Sequence, residues 1–191
     1  MLKRMKVAMN KLTLEALKVA IDEAQRLVLT VHVHPDGDAI GAMLGMYEAL
    51  VNYGKDVIMV VDDVIPEKYR FLKYADTVLN AADVKSIEGD TLLVLDASTY
   101  ERIGRVGPLC KGMKLYNIDH HISNSEFADG LYLRPDFAAT GEIIAFLCGQ
   151  WNWSITPSMA NALYTAIATD CGFFKFSNTT AHTLTSAFFV Q

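Results

Sequence analysis

Leu27-Val28-Leu29-Thr30-Val31-His32-Val33-His34-Pro35-Asp36-Gly37-Asp38 decides how the rest of the chain is read. Residues 27–31 are apolar but for one threonine and rich in β-branched side chains, the pattern of a parallel strand buried on both faces. Residues 39–50 read as a helix. Four potential metal ligands, His32, His34, Asp36 and Asp38, therefore fall where the carboxyl end of a strand meets the start of a helix. Open α/β sheets bind ligands at that edge. Pro35 and Gly37 supply the bend that lets the carboxylates converge. Read alone, Asp36-Gly37 also suits an ordinary turn with Asp38 as a helix N-cap, although capping accounts for only one of these residues.

The same arrangement recurs downstream. A second apolar run, 91–95, ends in Asp96; a third, 114–118, ends in Asp119-His120-His121; and an apolar helical stretch, 162–169, delivers Asp170 just before Cys171-Gly172. In a parallel sheet all strand ends share one edge, so groups far apart in sequence can meet there. Between these points the pattern predicts a capped amphipathic helix over 13–25, a strand over 55–61 and a short helix from Pro66 to residue 72. It predicts further helices over 140–150, 157–169 and 179–189. This alternation specifies an α/β fold, a doubly wound, mainly parallel five-stranded sheet flanked by helices, in one domain spanning 1–191.

Composition agrees with one well-cored folded domain. The 191 residues are 51% hydrophobic and 20% charged, which is globular rather than disordered. No apolar run reaches the roughly 18 residues of a membrane span, and segment 1–11 lacks the apolar core of a signal peptide, so the expectation is a cytoplasmic protein without a membrane partner. Cys110, Cys148 and Cys171 form no CxxC pair and read as small core residues. A net charge of −5 does not favour long duplex DNA, but leaves room for a substrate of a few nucleotides, because bound divalent cations reverse the local sign of a carboxylate cluster. Carboxylates with imidazoles and no thiolate suit Mn²⁺, Mg²⁺ or Co²⁺.

The set His32-x-x-x-Asp36-x-Asp38, Asp96, Asp119-His120-His121 and Asp170 resembles, in order and spacing, the four motifs of the DHH-family phosphoesterases, over residues 13–185. The tail 173–180 resembles what oligoribonucleases of that family, which also dephosphorylate 3′-phosphoadenosine 5′-phosphate, carry after the fourth motif. The resemblance implies two divalent metal ions, Mn²⁺ first. His32, Asp36 and Asp96 would hold one, and Asp38, Asp96, His120 and Asp170 the other, with Asp96 bridging. Two metals about 3.5 to 4 Å apart can stabilise both the attacking and the leaving oxygen of an in-line displacement. It further implies His121 and Asp119 as catalytic residues: His121 touching the substrate phosphate or protonating the leaving oxygen, Asp119 orienting His120. Lys175 would reach a terminal phosphate, and His34 would face substrate or support the ligands.

Cys171 and Ala42 stand where relatives commonly carry Thr and Ser, which bears on substrate contacts rather than on metal ligands. His182, in a helical segment away from the acidic clusters, reads as structural, and Trp151 and Trp153 read as core. Family members continue into a smaller second domain with a Gly-Gly-His motif that is not found in this sequence. The implied partner is short RNA or a nucleotide, and a homodimer stays open. Cyclic or linear dinucleotide or pyrophosphate hydrolysis, and a weakly active nucleotide-binding or regulatory domain, are the competing readings.

Overall fold

A run such as Leu27-Val28-Leu29 needs apolar cover on both sides, and the computed structural model, which describes residues 11–190, provides it. Leu27 and Leu29 join one core cluster, Val28 joins a second on the opposite face, and all three are fully buried. Leu93 and Leu95 divide from Leu92 and Val94 in the same way. These strands are β1 (Arg26–Thr30) and β4 (Thr91–Leu95); β2 (Asp56–Val61), β3 (Leu79–Asn80), β5 (Lys114–Asp119) and β6 (Gly130–Leu133) complete the sheet. The order is β3-β2-β1-β4-β5-β6, with every neighbouring pair parallel. Residues 1–10, which make up most of the segment considered for a signal peptide, lie outside the described residues.

The sheet thus has six strands rather than the expected five. β3 is only two residues long, and β6 opens on a glycine in the sequence Gly-Leu-Tyr-Leu, so neither carries a strong strand pattern of its own. Pairing with β5 makes β6 a strand.

Among the described residues the α-helices are α1 (Leu14–Glu23), α2 (Gly37–Asn52), α3 (Val106–Leu109), α4 (Thr140–Gln150), α5 (Pro157–Asp170) and α6 (Ala181–Phe189). Thr13 caps α1, accepting from Ala16 N at 3.2 Å. α2 is apolar nearly all round and is buried along most of its length, between the sheet and helices α4 and α5. The opposite face is covered more thinly, by a 3₁₀ turn at Tyr100–Ile103 and the single turn α3, through Ile103, Val106 and Cys110.

α2 and α5 approach closely because small residues face each other. A Cβ at Gly41 would lie 2.3 Å from Ala162 O, and one at Gly141 of α4 would lie 2.3 Å from Ala166 Cβ. Three helices therefore meet around Ala166, one turn before Asp170. Buried carboxylates fasten the same bundle. Glu48 accepts from Thr156 Oγ1 and Ser158 Oγ, each at 2.8 Å, and tethers α2 to the start of α5. Glu142, fully buried, accepts from Ala138 N at 2.8 Å and from His182 Nδ1 at 2.6 Å, joining α4 to α6. His182 thus has a carboxylate partner that its sequence position did not suggest, although it lies apart from the Asp/His groups described below. Cys110, Cys148 and Cys171 are buried free thiols, and burial pushes the first two up to about 11 and about 12. Trp151 and Trp153 are half-buried, pack edge to face with centroids 4.8 Å apart, and lie against the core. Among the described residues no helix is long and apolar enough to cross a membrane.

Candidate metal centre

In this sheet β1 leads to β2 and β3 on one side, while β4, β5 and β6 extend on the other. The order reverses between β1 and β4, so a crevice opens at their carboxyl ends. His32 follows β1 and Asp96 follows β4, placing the two on either side of it. Asp119 ends β5, the next strand along, and is followed by His120 and His121. Asp36 and Asp38 sit at the start of α2, and Asp170 ends α5.

Asp36, not Asp38, is the N-cap of α2, accepting from Ala39 N at 3.1 Å. Asp38 lies in the first turn with 1% exposure and caps a different helix: Thr140 N donates to its Oδ2 at 2.7 Å and Gly141 N to its Oδ1 at 2.8 Å. The residue before α4 is Ala139, which offers no side-chain cap, so Asp38 supplies the anion that the helix N-terminus favours. Thr140 also donates its hydroxyl to Asp96 Oδ1 at 2.9 Å.

His32 donates Nδ1–H to Val33 O at 2.7 Å, since a carbonyl can only accept. Its Nε2 is therefore turned toward the carboxylates, 3.8 Å from Asp36 Oδ1 and 3.5 Å from Asp96 Oδ2. His120 Nε2 lies 3.7 Å from Asp38 Oδ2, 3.6 Å from Asp96 Oδ1 and 3.8 Å from Asp170 Oδ2. That nitrogen is buried and has no hydrogen-bond partner among the described residues. A buried ring nitrogen ringed by three carboxylates at separations too long for hydrogen bonds fits a cation between them, because donors around a small divalent ion stand about 3 Å or more apart. The His32, Asp36, Asp96 group and the Asp38, His120, Asp170 group each bring their donor atoms within 4.8 Å of one another, as does Asp96 with His120 and His121.

The electrostatics match this crowding. Burial, with Asp96 and Asp170 close by, holds the Asp38 carboxyl well above its ordinary value. Asp170 is also raised, by burial and by Asp96 and Asp36. Burial alone would lower His32, but the Asp36 and Asp96 carboxylates facing its Nε2 and the Val33 carbonyl at its Nδ1 override it and carry the imidazole up to about 10. Asp36, despite burial, is brought down to about 2 by His32 and the Ala39 amide. Burial works against ionisation of Asp96 too, but His32, His120 and His121 keep it below its usual value.

Asp119 does not orient the His120 ring, as the resemblance implied. Its fully buried carboxylate accepts from His121 Nδ1 at 2.7 Å and, at His120, from the backbone N–H at 2.9 Å. Its other oxygen accepts from Asn124 Nδ2 at 2.6 Å, and the same amide donates to Asn117 Oδ1 at 2.8 Å. Asn117 in turn donates to Val94 O at 3.1 Å, anchoring the relay to β4. Asn124, Asn117 and Thr140 were not singled out from sequence. The start of the helix over 140–150 could have pointed to Thr140, since a helix N-terminus at the ligand edge attracts carboxylates. No pattern marks the asparagines.

Two candidates lie outside the cluster. His34, at φ 54 and with a side chain 90% exposed, is held by Asp63 Oδ2, 2.6 Å from its N and 3.1 Å from its Nδ1. Lys175 is exposed on the turn after α5, and its amine makes no hydrogen bond or ion pair among the described residues.

The family model for the DHH family, N-terminal domain, matches residues 26–167, which carry every one of the candidate metal ligands except Asp170. The chain belongs to the DHH family. It is 37% identical over 162 residues to a bifunctional oligoribonuclease and PAP phosphatase NrnA from Thermus thermophilus, covering 83% of this chain and 47% of that protein. It is 32% identical to the Bacillus subtilis protein of the same description, covering 83% of this chain and 50% of the relative. The chain thus spans about half the length of these DHH relatives. Among solved structures, an exopolyphosphatase-related protein from Bacteroides fragilis shares the fold with a TM-score of 0.85 at 23% identity, over 93% of this chain and 56% of that one.

Proposed function

We propose that this DHH chain is a manganese-dependent phosphoesterase that hydrolyses short oligoribonucleotides and 3′-phosphoadenosine 5′-phosphate with two metal ions. The observation that carries the reading is the Asp96 carboxylate. Its Oδ2 faces His32 at 3.5 Å and its Oδ1 faces His120 at 3.6 Å, so one side chain serves both donor groups. His32, Asp36 and Asp96 would hold one cation, and Asp38, Asp96, His120 and Asp170 the other. Two bound divalent ions supply charge neutralisation at the phosphoryl oxygens and a more acidic water. A donor set of carboxylates and imidazoles without thiolate suits Mn²⁺, with Mg²⁺ or Co²⁺ as alternatives.

The chain's own contribution is positioning and proton handling. His121 gives Nδ1–H to Asp119, which leaves Nε2 to meet a phosphoryl oxygen or deliver a proton to the leaving oxygen. Hydrogen bonding to Asp119, together with the charges of Asp119, Asp96 and Asp170, raises the His121 imidazole and favours its protonated form. The substrate class comes from the NrnA relatives, which are described as oligoribonucleases and PAP phosphatases. Cyclic dinucleotides form a second reading, favoured by 26% identity over 171 residues to a cyclic-di-AMP phosphodiesterase GdpP from Geobacillus thermodenitrificans. A panel of diribonucleotides, 3′-phosphoadenosine 5′-phosphate, cyclic dinucleotides and pyrophosphate, assayed with Mn²⁺, tests both. Release of mononucleotide and of AMP is expected, and Asp96→Asn should abolish it. No turnover of any substrate, or turnover indifferent to Asp96→Asn, would overturn the reading.

A further inference from the structure

Immediately after Asp170 the backbone does something costly. Gly172, Phe173 and Phe174 have φ of 58°, 55° and 64°, so two adjacent phenylalanines occupy the left-handed region that side chains with a Cβ disfavour. Such conformations persist where surrounding structure enforces them, and they concentrate at functional sites. Here Phe173 N donates to Ala168 O at 2.6 Å, while the amides of Lys175 and Phe176 both donate to Cys171 O at 3.1 Å. Asn178 closes the turn by donating to Asp170 O at 3.4 Å.

The turn sorts three aromatic rings. Phe174 goes inward, against the core and Tyr164. Phe173 and Phe176 stay outside, 67% and 60% exposed. The Phe176 ring lies over Gly172, where a Cβ would come within 2.6 Å of it, so one face is backed by the turn. A solvent-exposed ring packed over Gly172, two residues after Asp170, with the Lys175 amine, unpaired among the described residues, on the same turn, is a stacking surface beside a phosphate-handling centre. Every nucleobase has a π-face that such a ring can take, without need for hydrogen-bond readout.

We infer that the turn 172–176 is a nucleobase subsite, in which Phe176, flanked by Phe173, stacks on the base of the nucleotide whose phosphate lies at the Asp/His cluster. The inference rests on the phosphoesterase reading for the position of the phosphate. The test is calorimetric binding of AMP and of ribose 5-phosphate to the Mn²⁺-loaded chain, with dinucleotide hydrolysis scored separately. The wild-type chain should bind AMP about tenfold tighter than ribose 5-phosphate, the range expected of one stacked base. Phe176→Ala should erase that preference while leaving ribose 5-phosphate affinity, Mn²⁺ stoichiometry and the circular dichroism spectrum unchanged. Phe176→Trp should keep it. Equal AMP preference in Phe176→Ala and wild type would overturn the subsite, as would a wild-type chain that binds both phosphates equally because the turn meets another part of a protein instead. A chain that hydrolyses dinucleotides without preferring AMP keeps the phosphoesterase reading and loses this one; a chain that prefers AMP without hydrolysis does the reverse.

Discussion

At Asp96 the chain leaves β4 with φ 57 and a carboxylate 2% exposed, while its amide still pairs with Ile118 O at 3.1 Å. The strand is thus prolonged while the side chain is thrown into the crevice. Asp96→Asn keeps the shape and removes the charge shared by both donor groups. Titration calorimetry should show loss of tight Mn²⁺ binding with an unchanged fold, and two intact Mn²⁺ sites in the variant would remove the bridging role. Asn124→Ala acts further out, freeing Asp119 and through it His121. Turnover should fall about tenfold to a hundredfold with Mn²⁺ stoichiometry preserved, the usual cost of a lost supporting hydrogen bond; an unchanged rate would show that Asp119 needs no such support. His32 sets the pH dependence. Because its pKa is raised to about 10 in the metal-free chain, the stability it contributes is full below its ordinary value near 6.5 and is lost as pH rises toward 10. Mn²⁺ must displace that proton, so affinity should rise with pH between about 7 and 10. Calorimetry at pH 8 in buffers of different ionisation enthalpy should count about one proton released from this residue, and no release would contradict it.

Among the elements, α2 and α5 decide whether Asp38 and Asp170 meet. Their contact at Gly41 leaves no room, since a Cβ there would lie 2.3 Å from the backbone oxygen of Ala162. Gly41→Ala should cost about 1–3 kcal/mol of stability in urea unfolding, the usual range for overpacking a tight core. A gain in stability, as expected for Gly→Ala in an open helix, would show that the helices can separate freely. Gly37, Gly41 and Gly45 all face α5, at Thr169, Ala162 and Leu163, and no local pattern in the sequence names that partner. The main strands were legible because their apolar runs are buried on both faces, and the helices because their apolar residues recur at helical spacing. β3 and β6 were not, because short strands are defined by their partners rather than by their own residues.

Over the whole molecule, a net charge of −5 coexists with four aspartates gathered in one crevice. Without cations this is repulsive, which is why burial and mutual proximity hold Asp38 and Asp170 above their ordinary values. Cation binding should therefore stabilise the fold. At Mn²⁺ concentrations a hundredfold above Kd the gain is about 2.7 kcal/mol, an increase in Tm of roughly 5–10 °C for a domain of this size. Scanning calorimetry should show the rise with Mn²⁺ and its reversal with a chelator. A Tm indifferent to both would mean that the cluster is not a cation site.

The sequence by itself determined the α/β class, the parallel strands and the placing of His32, Asp36, Asp38, Asp96, Asp119, His120 and Asp170 at element ends, because local apolar periodicity and side-chain type are written residue by residue. Only the tertiary structure decided that the sheet reverses between β1 and β4, that Asp38 caps α4, that Asp119 serves His121 and that His34 turns outward to Asp63. Three of these depend on groups brought together from distant parts of the chain, no local pattern encoding a hydrogen bond between residues 38 and 140, and the fourth depends on which of two adjacent imidazoles the fold turns toward Asp119.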